Sequence, residues 1–483
     1  MTSEGGVNIP TEILQLIFTR FCIHCRGESD FPGPEQDPNQ LSWYSLERHT
    51  LFSLCLASRR FCEIAQPILY HEFVLGYGHS SRSKLYSWDG RLTSFLRTVK
   101  KRRDLATLVK WILIHPDLLE PIYNEGTRDI PQRPRRVYEL AKIRALHRVG
   151  DLIAILLAQL SKLQRCSLLF GGTPVETVRT SALQAAGVSS LPVTTVDVSG
   201  SATRRTAADY LFSLDYCARP FIELSTRLET LNLHMCGSTW SPSPVPFLPN
   251  LRTLRITHSR LTDADLKRLL SSCTGLQNFV YEATCPSSPS WRQCTMEFGL
   301  DHFNAANAAT DLDRFHATMK SLHLDLRSRL LIPFDPNTDS QPAFSFRDFT
   351  VLEHLFLNLS ELYDMSSKES PEDSQVLVKL LPPDIKSLHL AGYIGSSLGR
   401  LAIGLLSLAD AASEGRFPRL EEVRCDAEQK FDDAYGVDAI FAAVGVDFGY
   451  ESWPHSEPTL RETDMSPPSY EPLPLPSDDD SDL

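Results

Sequence analysis

One pattern returns ten times along this chain of 483 residues and limits what it can fold into: an apolar residue, two others, an apolar residue, one other, an apolar residue. It reads VKWILIH (109–115), LQRCSLL (163–169), VTTVDVS (193–199), LETLNLH (228–234) and LRTLRIT (251–257). It continues as LQNFVYE (276–282), MKSLHLD (319–325), LEHLFLN (352–358), IKSLHLA (385–391) and LEEVRCD (420–426). Onsets lie mostly 23–35 residues apart, with longer gaps after the first and before Met319. Alternation inside each motif predicts a short strand with one face in a core, and the spacing leaves room for a returning helix or loop. LTDADLKRLLSSCTGLQNF displays a whole unit: Thr262 or Asp263 caps a helix, Leu266, Leu269 and Leu270 face inward, and Gly275 stops it. The chain is too long for one ordinary core, so several domains or a repeat array are expected.

The pattern resembles a leucine-rich repeat, clearest in the middle units and weakest in the first three. The Asn that usually follows the strand in that family is mostly absent, so the repeats are irregular. The expected fold class is therefore α/β. Residues 8–75 form a short helical module containing a loop over 22–45, and 76–104 a linker or helical region. A curved, irregular solenoid spans 105–449, between a disordered 1–7 and a disordered Pro-rich acidic tail over 450–483. Ten strands about 4.8 Å apart would make a wall roughly 45 Å long. Its outward residues include Arg255, His323, Asp325, His354, Phe356, Asn358, His389 and Arg424. This stripe suits a polypeptide, with Phe356 as anchor and Arg255, His323, His354 and His389 as polar contacts. A solvated sheet face is the plain alternative, and the insertion at 284–318, with Trp291 and Phe298, is a second place for a target.

The amino-terminal stretch NIPTEILQLIF poses a separate problem. Asn8 is a good N-cap, Pro10 suits a first turn, and Glu12 suits the positive end of the helix dipole. Ile9, Ile13, Leu14, Leu16, Ile17, Phe18 and Phe21 spread over roughly 200° of helix surface, where one core needs nearer 100°. The surplus is buried by the chain itself or kept for a partner. Further on, Leu51, Leu54, Cys55, Phe61 and Ala65 recur at helical spacing, and Pro67 predicts a break or a new helix.

IPTEILQLIF followed by LCLASRRFCEIAQPILYHEF resembles the F-box, the helical module that docks substrate receptors on the Skp adaptor of cullin–RING ubiquitin ligases. Ile9 stands where the family usually has Leu. Leu54, Leu56, Ser58, Arg59, Arg60 and Phe61 match its second half, and the ending is similar to fungal members. The loop between Cys22 and Ser45 is longer than is usual there. The resemblance implies Pro10, Ile13, Leu14, Ile17 and Phe18 as adaptor contacts, each of which could equally be core.

Other features narrow the classes. Residues 1–8 lack a signal peptide, and DLIAILLAQLSKLQRCSLLF is too interrupted for a membrane span. Eleven scattered cysteines fit reduced thiols in cytoplasm or nucleus. Cys22 and Cys25 form a lone C-x-x-C without a second pair at zinc-finger spacing, so ordinary thiols are expected rather than zinc or redox chemistry. His323, His354 and His389 lie in successive repeats, but irregular repeat length argues against a metal. RTVKKRR and RPRR read as a solvated helix face and a loop, with an import receptor as the alternative for the run at 97–103; without aromatic interleaving no nucleic-acid partner is expected. In the tail, PPSY (Pro467, Pro468, Tyr470) resembles the PPxY ligand of WW domains, or is part of a solubilising tail. No Ser-His-Asp order, phosphate loop or H-E-x-x-H motif is present, so neither catalysis nor a cofactor is expected. The resemblances together imply a non-catalytic substrate receptor that docks on the Skp adaptor, and through it a cullin–RING ligase, and holds a protein target on its repeats. The alternative is an F-box scaffold working outside ubiquitylation.

Overall fold

The computed structural model describes residues 9–26, 43–74, 91–114, 151–170, 180–200, 212–239, 245–283, 303–327, 344–363, 371–392, 398–427 and 435–453, with a few residues between them. Its centre is one twelve-stranded parallel sheet. The strands are β1 (Glu72–Phe73), β2 (Trp111–Ile114), β3 (Arg165–Phe170), β4 (Thr195–Gly200), β5 (Thr230–His234) and β6 (Thr253–Ser259). They continue as β7 (Asn278–Ala283), β8 (Ser321–Asp325), β9 (His354–Asn358), β10 (Ser387–Ala391), β11 (Glu422–Asp426) and β12 (Asp447–Glu451). The strands lie in chain order, each inner one pairing with the one before and the one after it, an α/β arrangement compatible with a solenoid.

All ten motifs hold a strand. The reason is visible in the alternation: Leu231 and Leu233, Leu254 and Ile256, Phe279 and Tyr281, Leu322 and Leu324, and Leu388 and Leu390 are all buried in one continuous core. Fully burying such a side chain stabilises by about 2 kcal/mol, and a one-residue slip would turn every one of them to the other face. The greasy run at 151–170 divides into a helical turn region at 151–157 and strand β3, so it serves the core. No helix among the described residues is long and apolar enough to cross a membrane.

The sheet exceeds its expected limits at both ends. β1 lies inside the helical module and pairs with β2 at Glu72 and Trp111. β12 crosses the boundary placed at 449, because Phe448 and Tyr450 still pack on the core while Asp447 to Glu451 pair along β11. The described residues reach Trp453, and PPSY lies outside them, as do RPRR, Trp291 and Phe298.

The amino-terminal unit contains α1 (Thr11–Thr19), α2 (Ile23–Arg26), α3 (Trp43–Ala57) and α4 (Arg59–Leu69). α1 starts one residue after Pro10, which occupies the cap position in extended backbone and offers no side-chain cap. Asn8 lies outside the described residues. Pro67 does not break α4; it sits in the last turn, where the helix ends two residues later. The expected loop at 22–45 already contains α2 and the start of α3. α5 (Arg91–Lys101) buries Leu92, Phe95 and Val99 against the main core. Its basic residues Arg97, Lys100 and Lys101 point to solvent, with Lys100 and Lys101 at the end of the helix that favours cations.

α6 (Asp263–Ser271) follows β6 and carries a full capping box between Thr262 and Asp265. Leu266, Leu269 and Leu270 turn inward as the spacing predicts. Gly275 does not stop it; the helix ends at Ser271, capped by Ser272. The Arg252 guanidinium instead lies against Gly275 and donates to its carbonyl at 2.9 Å, leaving no room for a side chain while it stays there.

Candidate functional site

Two surfaces concentrate the residues singled out by sequence. The first is α1. Leu14 and Phe18 are buried in a small core with Cys22, Leu51, Ala65 and Ile68, and Phe18 meets Phe61 edge-on at 5.7 Å. These two are therefore not available as partner contacts, contrary to expectation: they are the inward stripe that holds α1 on α4. Ile13 and Ile17, each 46% exposed, lie on the other side with Leu16 at 65%, at the i, i+3, i+4 spacing of one helix face. Pro10 and Ile9 are exposed beside them. The surplus arc is thus divided between a core and an open face.

The rest of the motif has local duties. Ser58 caps α4 by accepting from the Phe61 amide at 3.1 Å. Arg60 donates to the Ile9 carbonyl and reaches Thr11 Oγ1 at 3.4 Å, tying the start of α1 to α4. On α3, Phe52 and Leu56 are also exposed, the latter at 72%. Phe52 was not singled out and the exposure of Leu56 was not read, because four-residue spacing in a helix looks the same whether it faces a core or solvent.

The second surface is the sheet face opposite the core. Register places Asp197, Asn232, Arg255, Val280, His323, Phe356, His389 and Arg424 in one row across β4 to β11. His354 belongs to the neighbouring row, opposite Ser387. The three histidines therefore do not converge: Phe356 separates His323 from His389, and His354 is held by Ser387 Oγ at 2.9 Å.

Phe356 is not an open anchor. It is 5% exposed, stacked on His323 with ring centroids 3.8 Å apart, and covered edge-on by Trp453 at 5.2 Å. Trp453 also stacks on His389 at 5.5 Å. The chain after β12 thus turns back across β11 and β10. Arg327 secures it, donating to the Trp453 carbonyl at 2.7 Å while forking onto Asp325 at 2.6–3.2 Å. Asp325 and Asn358 are consequently buried, with Asn358 accepting from the Leu326 amide at 3.0 Å. Sequence reasoning missed Trp453 and Arg327, since neither falls within a motif.

At the early end of the row Asp197 is also closed off. It accepts from Arg165 at 2.6 and 3.0 Å, from Ser167 at 2.5 Å and from Asn232 at 2.7 Å. Arg165 lies over Trp111, whose indole N–H donates to Ser167. Burial holds His323 down at about 4, so its ring is neutral at physiological pH. The accessible part of the stripe is narrower than expected: His354 is exposed, and Arg255, His389 and Arg424 are half-buried. Arg424 pairs with Glu422 at 3.2 Å and with Asp447, and these carboxylates raise its pKa further.

No family model matches the chain, and no curated protein matches it.

Proposed function

We propose that the chain is a substrate-recognition subunit of a Skp–cullin–F-box ubiquitin ligase acting in the cytoplasm or nucleus. In this reading the helical unit is an F-box, the parallel sheet is a leucine-rich-repeat solenoid, and the chain itself performs no chemistry. The observation that carries it is the exposed apolar face of α1, present on a helix whose opposite face already has a core. Exposed Ile and Leu at one-face spacing cost solubility, and a partner groove is the common reason to keep them. Pro10, Ile13 and Ile17 stay in the contact set, Leu16 joins them, and Leu14 and Phe18 leave it. For the target, Arg255, His354 and His389 remain contacts around the Trp453 pile, while Phe356 supports them from below.

The test is capture of a purified Skp adaptor by the full chain and by its Ile13→Asp/Ile17→Asp variant. Both residues are exposed, so melting should be unchanged while binding weakens by roughly 100-fold or more. Undiminished capture by the variant would remove the adaptor assignment.

A further inference from the structure

Cys22 and Cys25, an isolated pair in the sequence, are joined in space by two histidines. Cys22 ends the turn after α1, His24 and Cys25 lie on α2, and His71 stands between α4 and β1. Cys25 Sγ lies 3.1 Å from His71 Nδ1 and 3.9 Å from His24 Nδ1, and Cys22 Sγ lies 3.9 Å from His71 Nδ1. All four candidate ligand atoms fall within 4.8 Å of one another. We propose that these four side chains form a structural zinc site. Tetrahedral zinc with Zn–S of about 2.3 Å and Zn–N of about 2.0 Å sets its ligand atoms about 3.3–3.8 Å apart, which this cluster nearly reaches without an ion.

Three further observations favour an ion over a plain thiol–imidazole contact. First, each imidazole offers Nδ1 to the sulfurs. His24 places Nε2 3.1 Å from Gln164 Oε1, so that nitrogen donates and Nδ1 is left with a free lone pair, the outer bond a metal-bound histidine needs. Second, charge balances. Two thiolates neutralise Zn²⁺, while the buried Glu72 carboxylate, 3.7 Å from Cys22 Sγ, is met by Arg48 at 3.4 Å and by the His24 amide at 3.1 Å. Third, the backbone is fixed on both sides. The His71 carbonyl accepts from Lys110 and Trp111 at the start of β2, and Arg26 N–H returns to the Cys22 carbonyl. The ion would close a span of 46 residues and clip the helical unit to the first strands of the sheet. Cys₂His₂ with four protein ligands leaves no open position, which suits a structural ion rather than a catalytic one.

The experiment uses the full chain without an affinity tag, purified under reductant and reconstituted with zinc. Bound metal is measured by mass spectrometry, and the same chain is loaded with Co²⁺. About one zinc per chain is expected, and Co²⁺ should give tetrahedral visible bands with a thiolate charge-transfer band. Cys25→Ser and His71→Gln should each lose zinc, and Gln164→Ala should weaken retention against a chelator by roughly 10-fold. The Co²⁺ spectrum needs no variant, so it decides the matter even if Cys25→Ser fails to fold. A chain that takes up no zinc under reductant, a Co²⁺ spectrum without thiolate bands, or full zinc retention by Cys25→Ser would each overturn the site.

Discussion

His234 on β5 and His323 on β8 sit on the sheet face that sequence reasoning treated as open, and both are largely enclosed. Burial lowers His234 to about 3, with His258 and Arg255 adding to it. Burial lowers His323 to about 4; Asp325 opposes this, whereas Arg255, Arg327 and His389 reinforce it. His323 Nε2 has no hydrogen-bond partner among the described residues, so a proton there gains no hydrogen bond. Each imidazole is neutral when folded and takes up a proton on unfolding at its ordinary value near about 6.5. Stability is therefore full above about pH 6.5 and is lost as pH falls toward 4. The urea midpoint should decline from pH 6.5 to 5, and His323→Phe should flatten part of that slope while keeping the ring stack on Phe356. A midpoint constant across this window would contradict the neutral-histidine assignment. The outward direction of these residues was legible from alternation; their enclosure was not, because Arg327 and Trp453 arrive from elsewhere in the chain.

α6 and α1 show how far an element can be read by itself. The capping box of α6 involves residues three apart, so Thr262 and Asp265 announce it in sequence. Thr262→Ala removes the bond its hydroxyl accepts from the Asp265 amide and the one it donates to the Asp265 carboxylate, and should cost about 1 kcal/mol. Asp265→Ala should cost more, about 2–3 kcal/mol, since Asp265 also accepts from the Thr239 amide and hydroxyl at 3.1 and 2.8 Å and pairs with Arg268. Chemical denaturation of the two variants checks the order; equal losses would mean that Thr239 does not depend on Asp265. α1 is the opposite case. Its 200° arc was legible, but dividing it into Leu14 and Phe18 inside and Ile13, Leu16 and Ile17 outside required knowing where α4 lies. Gly275 misled for a related reason: a helix stop is a local signal, whereas the close approach of Arg252 comes from the residue just before β6.

At the scale of the whole molecule, the return of the chain over its own sheet is the least expected feature. Trp453 lies on Phe356 and His389, three strands and two strands back from the edge. Trp453→Ala should remove two ring contacts and cost about 1–2 kcal/mol, lowering the melting temperature by a few degrees, while Trp453→Phe should recover much of it. A melting curve unchanged by Trp453→Ala would mean the ring only rests there. This return matters for any target, because whatever binds the late strands meets Trp453, His389 and Arg424 together rather than a bare Phe356.

Periodicity and near-neighbour chemistry are enough to set the repeating strands, their inward residues, the amphipathic start of the chain and the capped helix of the clearest unit. Each depends on periodicity or on groups within four residues, which chain geometry converts directly into a face. Tertiary structure decided which apolar residues of α1 are core, that His323, Phe356 and His389 share a row while His354 does not, and that Trp453 covers that row. It also brings His24 and His71 beside Cys22 and Cys25. Those facts depend on register and on contacts between distant segments, such as Arg327 and Trp453, 126 residues apart, and no local pattern carries that separation.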